Sequence, residues 1–237
     1  MPQYICVECG EPVDSLYVEF SEGNIRLTRC EQCGNVSDKY IEYELILVAI
    51  DLTLHRKQAF RHLLYNRQQF ESAASIRLIV FGVLVVNCVL KLALLHRTVY
   101  RNVFRLRPAA HLVLSTAVEH GVLLCAVMAG LWLMPTTRHL MHGSATSKFK
   151  RKVYVALAFP ETFKFAAVLL QIFDTDPKLL LLIGLLIVSI QHKSLQSVVN
   201  LPIVRLNVII VSAVLLRFLV RCVFHRFTDI WLMGVVS

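Results

Sequence analysis

Four of the seven cysteines occupy two matching frames, Cys6-Val7-Glu8-Cys9-Gly10 and Cys30-Glu31-Gln32-Cys33-Gly34, with twenty residues between them. Each CxxC turn presents two thiolates, and four thiolates make the ligand set of a tetrahedral zinc site with Zn–S bonds of about 2.3 Å. With Cys6, Cys9, Cys30 and Cys33 all engaged, no coordination position stays open for substrate, so the expected Zn2+ is structural. A glycine follows each pair because a chain wrapping two sulfurs around one ion turns through positive φ, which a residue without Cβ adopts freely. Three other uses of such cysteines compete. Two disulfides need an oxidising compartment, and a redox CxxC comes singly in a βαβ setting. A nucleic-acid-binding ribbon needs a basic surface. Residues 1–40 carry three basic and seven acidic residues, a balance of −4, which excludes nucleic acid as the expected partner. Cys88, Cys125 and Cys222 lie singly in apolar runs, where a thiol behaves as a small hydrophobe.

The elements that must position the four thiols are short strands. Ser15–Phe20 alternates polar and apolar, Ser21-Glu22-Gly23-Asn24 is a turn, and Ile25–Thr28 returns, the pattern of a β-hairpin. Two knuckles joined by a hairpin predict a zinc ribbon over residues 1–40.

Beyond it the chain changes character. It is 56% hydrophobic and only 17% charged, with a mean hydropathy of +0.60, whereas soluble domains carry about 25% charged residues. Residues 1–40 lack the apolar core of a cleavable signal peptide, so the first apolar span is the expected targeting signal. Residues 41–75 read as a basic juxtamembrane segment. Leu45–Leu54 is apolar but ten residues long, against the ~20 needed to cross a bilayer. Phe60, Leu63 and Leu64 then recur at helical spacing among Arg56, Lys57, Arg61 and Arg67, as in a helix lying in the headgroup layer; a soluble helix packed on the ribbon is the alternative. His55 and His62 are expected to be solvated.

Residues 76–237 read as an all-α multi-pass membrane domain. Three spans are clear: 76–95, 111–134 and 203–224. Two weaker ones, 153–173 and 179–190, flank a turn at Asp174–Lys178 and form either two spans or a re-entrant hairpin. The basic flank before the first span favours a cytosolic N-terminus, yet Arg97, Arg101, Arg105 and Arg107 follow the same span and oppose a simple crossing. Glu119, Glu161 and Lys164 sit at membrane depth, where an ionisable residue is a functional candidate unless it is paired. Glu161 and Lys164 are one helical turn apart and can pair with each other. No pairing of nucleophile and base, no HxxxxD motif and no phosphate-cradling glycine loop points to catalysis.

The paired CxxCG frames, Pro12-Val13-Asp14-Ser15-Leu16-Tyr17, Asp38-Lys39-Tyr40, Asp51-Leu52 and Phe60-Arg61-His62-Leu63-Leu64-Tyr65-Asn66 resemble the homology domain of the Arv family (ACAT-related protein required for viability). The likeness covers roughly residues 4–67, and the later spans match in character only. It implies a multi-pass endoplasmic-reticulum protein, with the Golgi as a further location. The family is needed for intracellular sterol transport and sphingolipid balance and is implicated in handling glycosylphosphatidylinositol intermediates. The implied partners are those membrane lipids. The function expected on this basis is non-enzymatic lipid transport, and the alternative is an adaptor docking a membrane enzyme complex of lipid or anchor synthesis.

Overall fold

Each cysteine frame folds as the turn of its own short hairpin. Strands β1 (Tyr4–Ile5) and β2 (Pro12–Val13) pair antiparallel around Cys6–Gly10, and an Arg29–Val36 bridge closes around Cys30–Gly34. Between them β3 (Tyr17–Ser21) and β4 (Asn24–Leu27) form the hairpin that the alternation predicts, turning at Gly23. The computed structural model describes residues 4–67, 72–98, 106–138, 146–172, 177–199 and 201–236. Of the expected turn at Asp174–Lys178, residues 174–176 lie outside the described residues, as do the arginines at 101 and 105, while Pro177 and Lys178 open a helix.

After a 3-10 turn at Lys39–Ile41 come α1 (Leu45–Thr53) and α2 (Lys57–Arg61), the latter continuing into a π-turn at His62–Asn66. His55, at φ 60, makes the sharp corner between α1 and α2. Val48 and Leu52 of α1 and Ala59, Phe60, Leu63 and Leu64 of the following segment bury their side chains against Val7 and Tyr40. Helical spacing thus gives α2 an apolar stripe that faces the cysteine unit, and residues 4–66 share one small core.

Among the described residues, four helices are long and apolar enough to cross a membrane: α3 (Ala73–Thr98), α4 (Leu106–Leu133), and, after the short α5 (Pro135–Arg138), α6 (Thr146–Ala158) and α7 (Lys164–Ile172), the helices α8 (Pro177–Val198) and α9 (Ile203–Val236). The firmest packing joins α4 to α9, where Leu123, Val127 and Leu131 meet Leu206, Ile209 and Ala213. A Cβ on Gly130 would lie 2.8 Å from Ile209 Cγ2, so the small residue permits the close approach, as small residues do between membrane helices. The outer surface stays apolar, with Leu78, Phe81, Leu181, Leu185, Val204 and Leu219 all exposed.

The segment 153–173, offered by its sequence as a weaker span, is not one helix. It runs as the end of α6, a 3-10 stretch over Phe159–Phe163, and α7. Pro160 sits at the start of that stretch, where its missing N–H and fixed φ interrupt the α-helical ladder. The companion segment at 179–190 is longer than its apolar run, because α8 extends through Gln191–Val198.

Helix directions show that this broken piece travels the length of the bundle. The end of α4 packs with Val153, Leu195 and Val199, and Val155, Ala156 and Ile190 complete the core of the cysteine unit. The end of α4, most of α6 and the end of α8 therefore share the end of the bundle that carries the cysteine unit. At 1.5 Å per residue, the start of α8 lies roughly 30 Å away, and the chain reaches it through the 3-10 stretch and α7. Among the described residues the bundle is built of four continuous helical passages and one broken one, α6 to α7.

Candidate metal centre and buried charge clusters

The four thiols converge. Sγ of Cys6 lies 3.7 Å from that of Cys33, and Sγ of Cys9 lies 3.7 Å from that of Cys30. All four sulfurs fall within 4.8 Å of one another. A tetrahedral ion with bonds of about 2.3 Å holds its sulfurs about 3.8 Å apart, whereas a disulfide joins them at about 2.05 Å. The site therefore fits a metal ion, and the four cysteines are free of disulfide.

The backbone around the two pairs repeats. Gly10 N–H donates to Cys6 O at 2.9 Å and Gly34 N–H to Cys30 O at 2.8 Å; Cys6 N–H donates to Glu11 O and Cys30 N–H to Asn35 O, both at 2.8 Å. Gly10 and Gly34 have φ of 89° and 72°, the left-handed turn expected of them. Gly10 also admits the Arg61 guanidinium, whose Nη2 would lie 3.0 Å from a Cβ there.

That arginine begins a latch between α2 and the first knuckle. Its Nη1 donates to Val7 O at 2.9 Å and Glu8 O at 2.6 Å. The Glu8 carboxylate takes the Gln58 amide at 3.0 Å and Lys39 Nζ at 3.2 Å, and these two partners hold its pKa below the ordinary carboxylate range. Asn66 pairs with Ile5 as another strand would, accepting its N–H at 3.0 Å and donating to its C=O at 2.9 Å. Asp38, fully buried, gathers the rest: it accepts from Tyr40 N–H at 2.9 Å and Asn66 Nδ2 at 2.7 Å, and its other contact is His62 Nδ1 at 2.8 Å. His62 is therefore a buried partner of Asp38, contrary to its expected solvation. Its place one turn before Asn66 was the available signal, since residues four apart share a helical face. Tyr40 hydroxyl donates to Asp51 at 2.8 Å, and burial, with that carboxylate, pushes its pKa up.

The bundle brings together the ionisable residues noted at membrane depth and adds others. Glu119 Oε1 is 2.7 Å from Lys91 Nζ, and its Oε2 is 3.0 Å from Arg221 Nη2. Glu161, in the 3-10 stretch, forms the expected ion pair with Lys164. It also meets Arg217 Nη1 at 2.6 Å, Gln191 Nε2 at 3.1 Å and Asn87 Nδ2 at 3.4 Å. Lys164 Nζ donates to Asn87 Oδ1 at 2.8 Å. Arg217, Gln191 and Asn87 come from α9, α8 and α3, and no spacing in the sequence links them to Glu161.

Comparison with known proteins gives these parts a family. The Arv1-like family model matches residues 5–195. The Dictyostelium discoideum protein named Protein arv1 homolog is 56% identical over 69 residues, 28% of each chain. The human Protein ARV1 is 39% identical over 66 residues, 28% of this chain and 24% of its own. For these relatives the match spans less than a third of their length. Protein ARV 1 of Arabidopsis thaliana is 28% identical over 226 residues, 94% of this chain and 89% of its own. No solved structure matches. The family match takes in the cysteine unit, the latch and the bundle through most of α8, and the chain belongs to the Arv1-like family.

Proposed function

We propose that this chain is a non-enzymatic membrane protein of lipid homeostasis in the endoplasmic reticulum, acting in intracellular sterol transport and in the balance of sphingolipids and glycosylphosphatidylinositol intermediates. The observation that carries the reading is the joining, in one family match, of a four-cysteine head able to hold a metal ion to a bundle of long apolar helices. Zn2+ held by Cys6, Cys9, Cys30 and Cys33 is the metal that suits the head: four thiolates at tetrahedral separation complete its coordination, and the ion staples strands too short to fold alone. The head faces the cytosol, where thiols stay reduced. Leu45, Ile46, Leu47 and Ile50 of α1 point outward and rest on the adjoining headgroup layer, while the apolar stripe of α2 serves the head. Full-length protein reconstituted into liposomes is expected to bind or transfer sterol or glycolipid. Folded protein that does neither would sink the reading.

One observation favours the alternative, an adaptor for a membrane enzyme complex. Tyr17, Val18 and Phe20 stand exposed on the β3–β4 hairpin of the acidic head, a patch suited to a protein partner. This reading requires a membrane enzyme that co-purifies in mild detergent and is lost when Phe20 is replaced by Ser.

A further inference from the structure

We propose that the break at Phe159–Phe163, with the side chains of α3, α4, α8 and α9 that converge on it, is a binding site inside the apolar bundle for the phosphate of an anionic phospholipid. Three observations carry it.

The first is charge. Among the described residues the two clusters hold two carboxylates, Glu119 and Glu161, against four cations, Lys91, Lys164, Arg217 and Arg221. Both carboxylates are 2% exposed or less; Glu161 also accepts from Gln191 and Asn87, and against four cations the two carboxylates leave a surplus of two positive charges. A charge left uncompensated in a bilayer interior is costly. Four cations are more than two carboxylates need for mutual neutralisation.

The second is hydrogen bonding. Buried polar groups are normally satisfied, and each exception calls for a cause. Arg217 Nε, Tyr154 hydroxyl and both ring nitrogens of His120 are buried without a partner among the described residues. The His120 ring, 6% exposed, packs edge-on to Tyr154 with centroids 6.0 Å apart. The charged groups acting on it are Glu161, Arg217 and Lys164. Arg217 Nε is a donor, and a neutral imidazole at His120 adds one more. A group rich in acceptors and negative in charge answers both the charge and the hydrogen-bond surplus, and a phosphate oxygen cluster is that group.

The third is the backbone and the access. Irregular backbone at membrane depth is tolerated where it is buried in protein or lines a cavity, and broken helices near the middle of membrane bundles are where transporters hold their substrates. Here the break carries Glu161 and Lys164 into the centre of the cluster. Arg221 has half its side chain exposed on the outer surface of α9, which opens the cluster sideways to the lipid phase. A headgroup that enters there keeps its acyl chains in the bilayer. Phosphatidylcholine brings its own cation beside its phosphate and leaves the surplus in place, so the site should prefer a phospholipid whose phosphate is unpaired.

The inference rests on the lipid-handling reading above and names the ligand class. The test uses full-length protein in mild detergent offered equal phosphatidylglycerol, phosphatidylcholine and diacylglycerol, with retained lipid read by native mass spectrometry. Phosphatidylglycerol should be retained about tenfold over phosphatidylcholine, ~1.4 kcal/mol, and Arg217→Gln and Arg221→Gln should each erase most of that preference. Arg217→Gln can unfold the bundle, so a second variant works in the opposite sense. Glu161→Gln enlarges the cation surplus, and its melting temperature should rise with added phosphatidylglycerol by more than that of the unaltered protein, as tighter binding to the folded state requires. Equal retention of the three lipids by folded protein, or no extra rise for Glu161→Gln, overturns the site. Displacement of the lipid by millimolar inorganic phosphate overturns its lipid source and assigns the pocket to the free anion. Protein that transfers sterol in liposomes yet shows no phosphatidylglycerol preference overturns this site alone; protein that neither transfers nor retains any lipid overturns the broader reading with it.

Discussion

Asp38 in the cysteine head and Glu161 in the bundle are both buried carboxylates, and their surroundings differ in kind. Asp38 meets one backbone N–H, one amide and one imidazole, all within residues 38–66. Glu161 meets two cations and two amides drawn from four separate passages of the bundle. Around Asp38, donors and acceptors match, and these contacts tie α2 to the strands. In the bundle, cations exceed carboxylates and donors are left over. A balanced polar network specifies one arrangement, while an unbalanced one suits a site that gains its missing partner from a ligand. The head is built to hold itself together, and the bundle to hold something else.

The largest expected effect tests the first half of that contrast. Structural zinc in small domains supplies about 10–16 kcal/mol of apparent binding free energy at neutral pH. Stripping it with a strong chelator, or making Cys33→Ser, should therefore abolish amide-exchange protection over residues 4–66 and leave Ala110–Leu133 protected. A head that stays protected without metal would mean that the latch alone suffices. Next comes Glu161→Ala, which leaves Lys164 and Arg217 buried without their anion; breaking such a pair costs about 3–5 kcal/mol. The melting temperature in phosphatidylcholine nanodiscs should fall markedly, and an unchanged value would show that the bundle does not depend on this carboxylate.

Asn66→Ala removes two bonds to Ile5 and one to Asp38, and an unsatisfied buried group costs about 1–3 kcal/mol. Limited proteolysis should then cut the head faster while cleavage within the bundle is unchanged; equal acceleration in both would erase the boundary between them. Phe20→Ser should shift the melting temperature least, within about 0.5 kcal/mol as surface changes do. If it instead destabilises the head, the hairpin patch is part of the fold and not a docking surface.

Much of the head was legible because its interactions are local. The CxxCG frames mark the four cysteines that converge, and the hairpin follows from alternation around Gly23. The latch was not legible: Arg61 read as one of the basic residues of a headgroup-layer helix, His62 as solvated and Asn66 as without a contact of its own, until the turn of α2 aims them at Val7, Asp38 and Ile5. In the bundle, the apolar runs at 76–95, 111–134 and 203–224 coincide with the apolar stretches of α3, α4 and α9, although α9 itself continues to Val236. Hydropathy undercounted α8, whose second half carries Gln191, His192 and Lys193 among its apolar residues. Those polar groups face protein, and a hydropathy pattern does not distinguish protein from water.

The sequence by itself determined the two cysteine pairs able to hold a metal ion, the apolar helices and the i,i+3 pair of Glu161 and Lys164, because each depends on spacing within a few residues of one element. Only the tertiary structure decided that Arg217 and Gln191, 56 and 30 residues away, close on Glu161, and that Lys91 and Arg221 share Glu119. Side chains on different helices meet according to helix direction, crossing and rotation, which arise from packing such as Gly130 against Ile209. The charge surplus, and with it the proposed phosphate site, comes into view only when those helices are assembled.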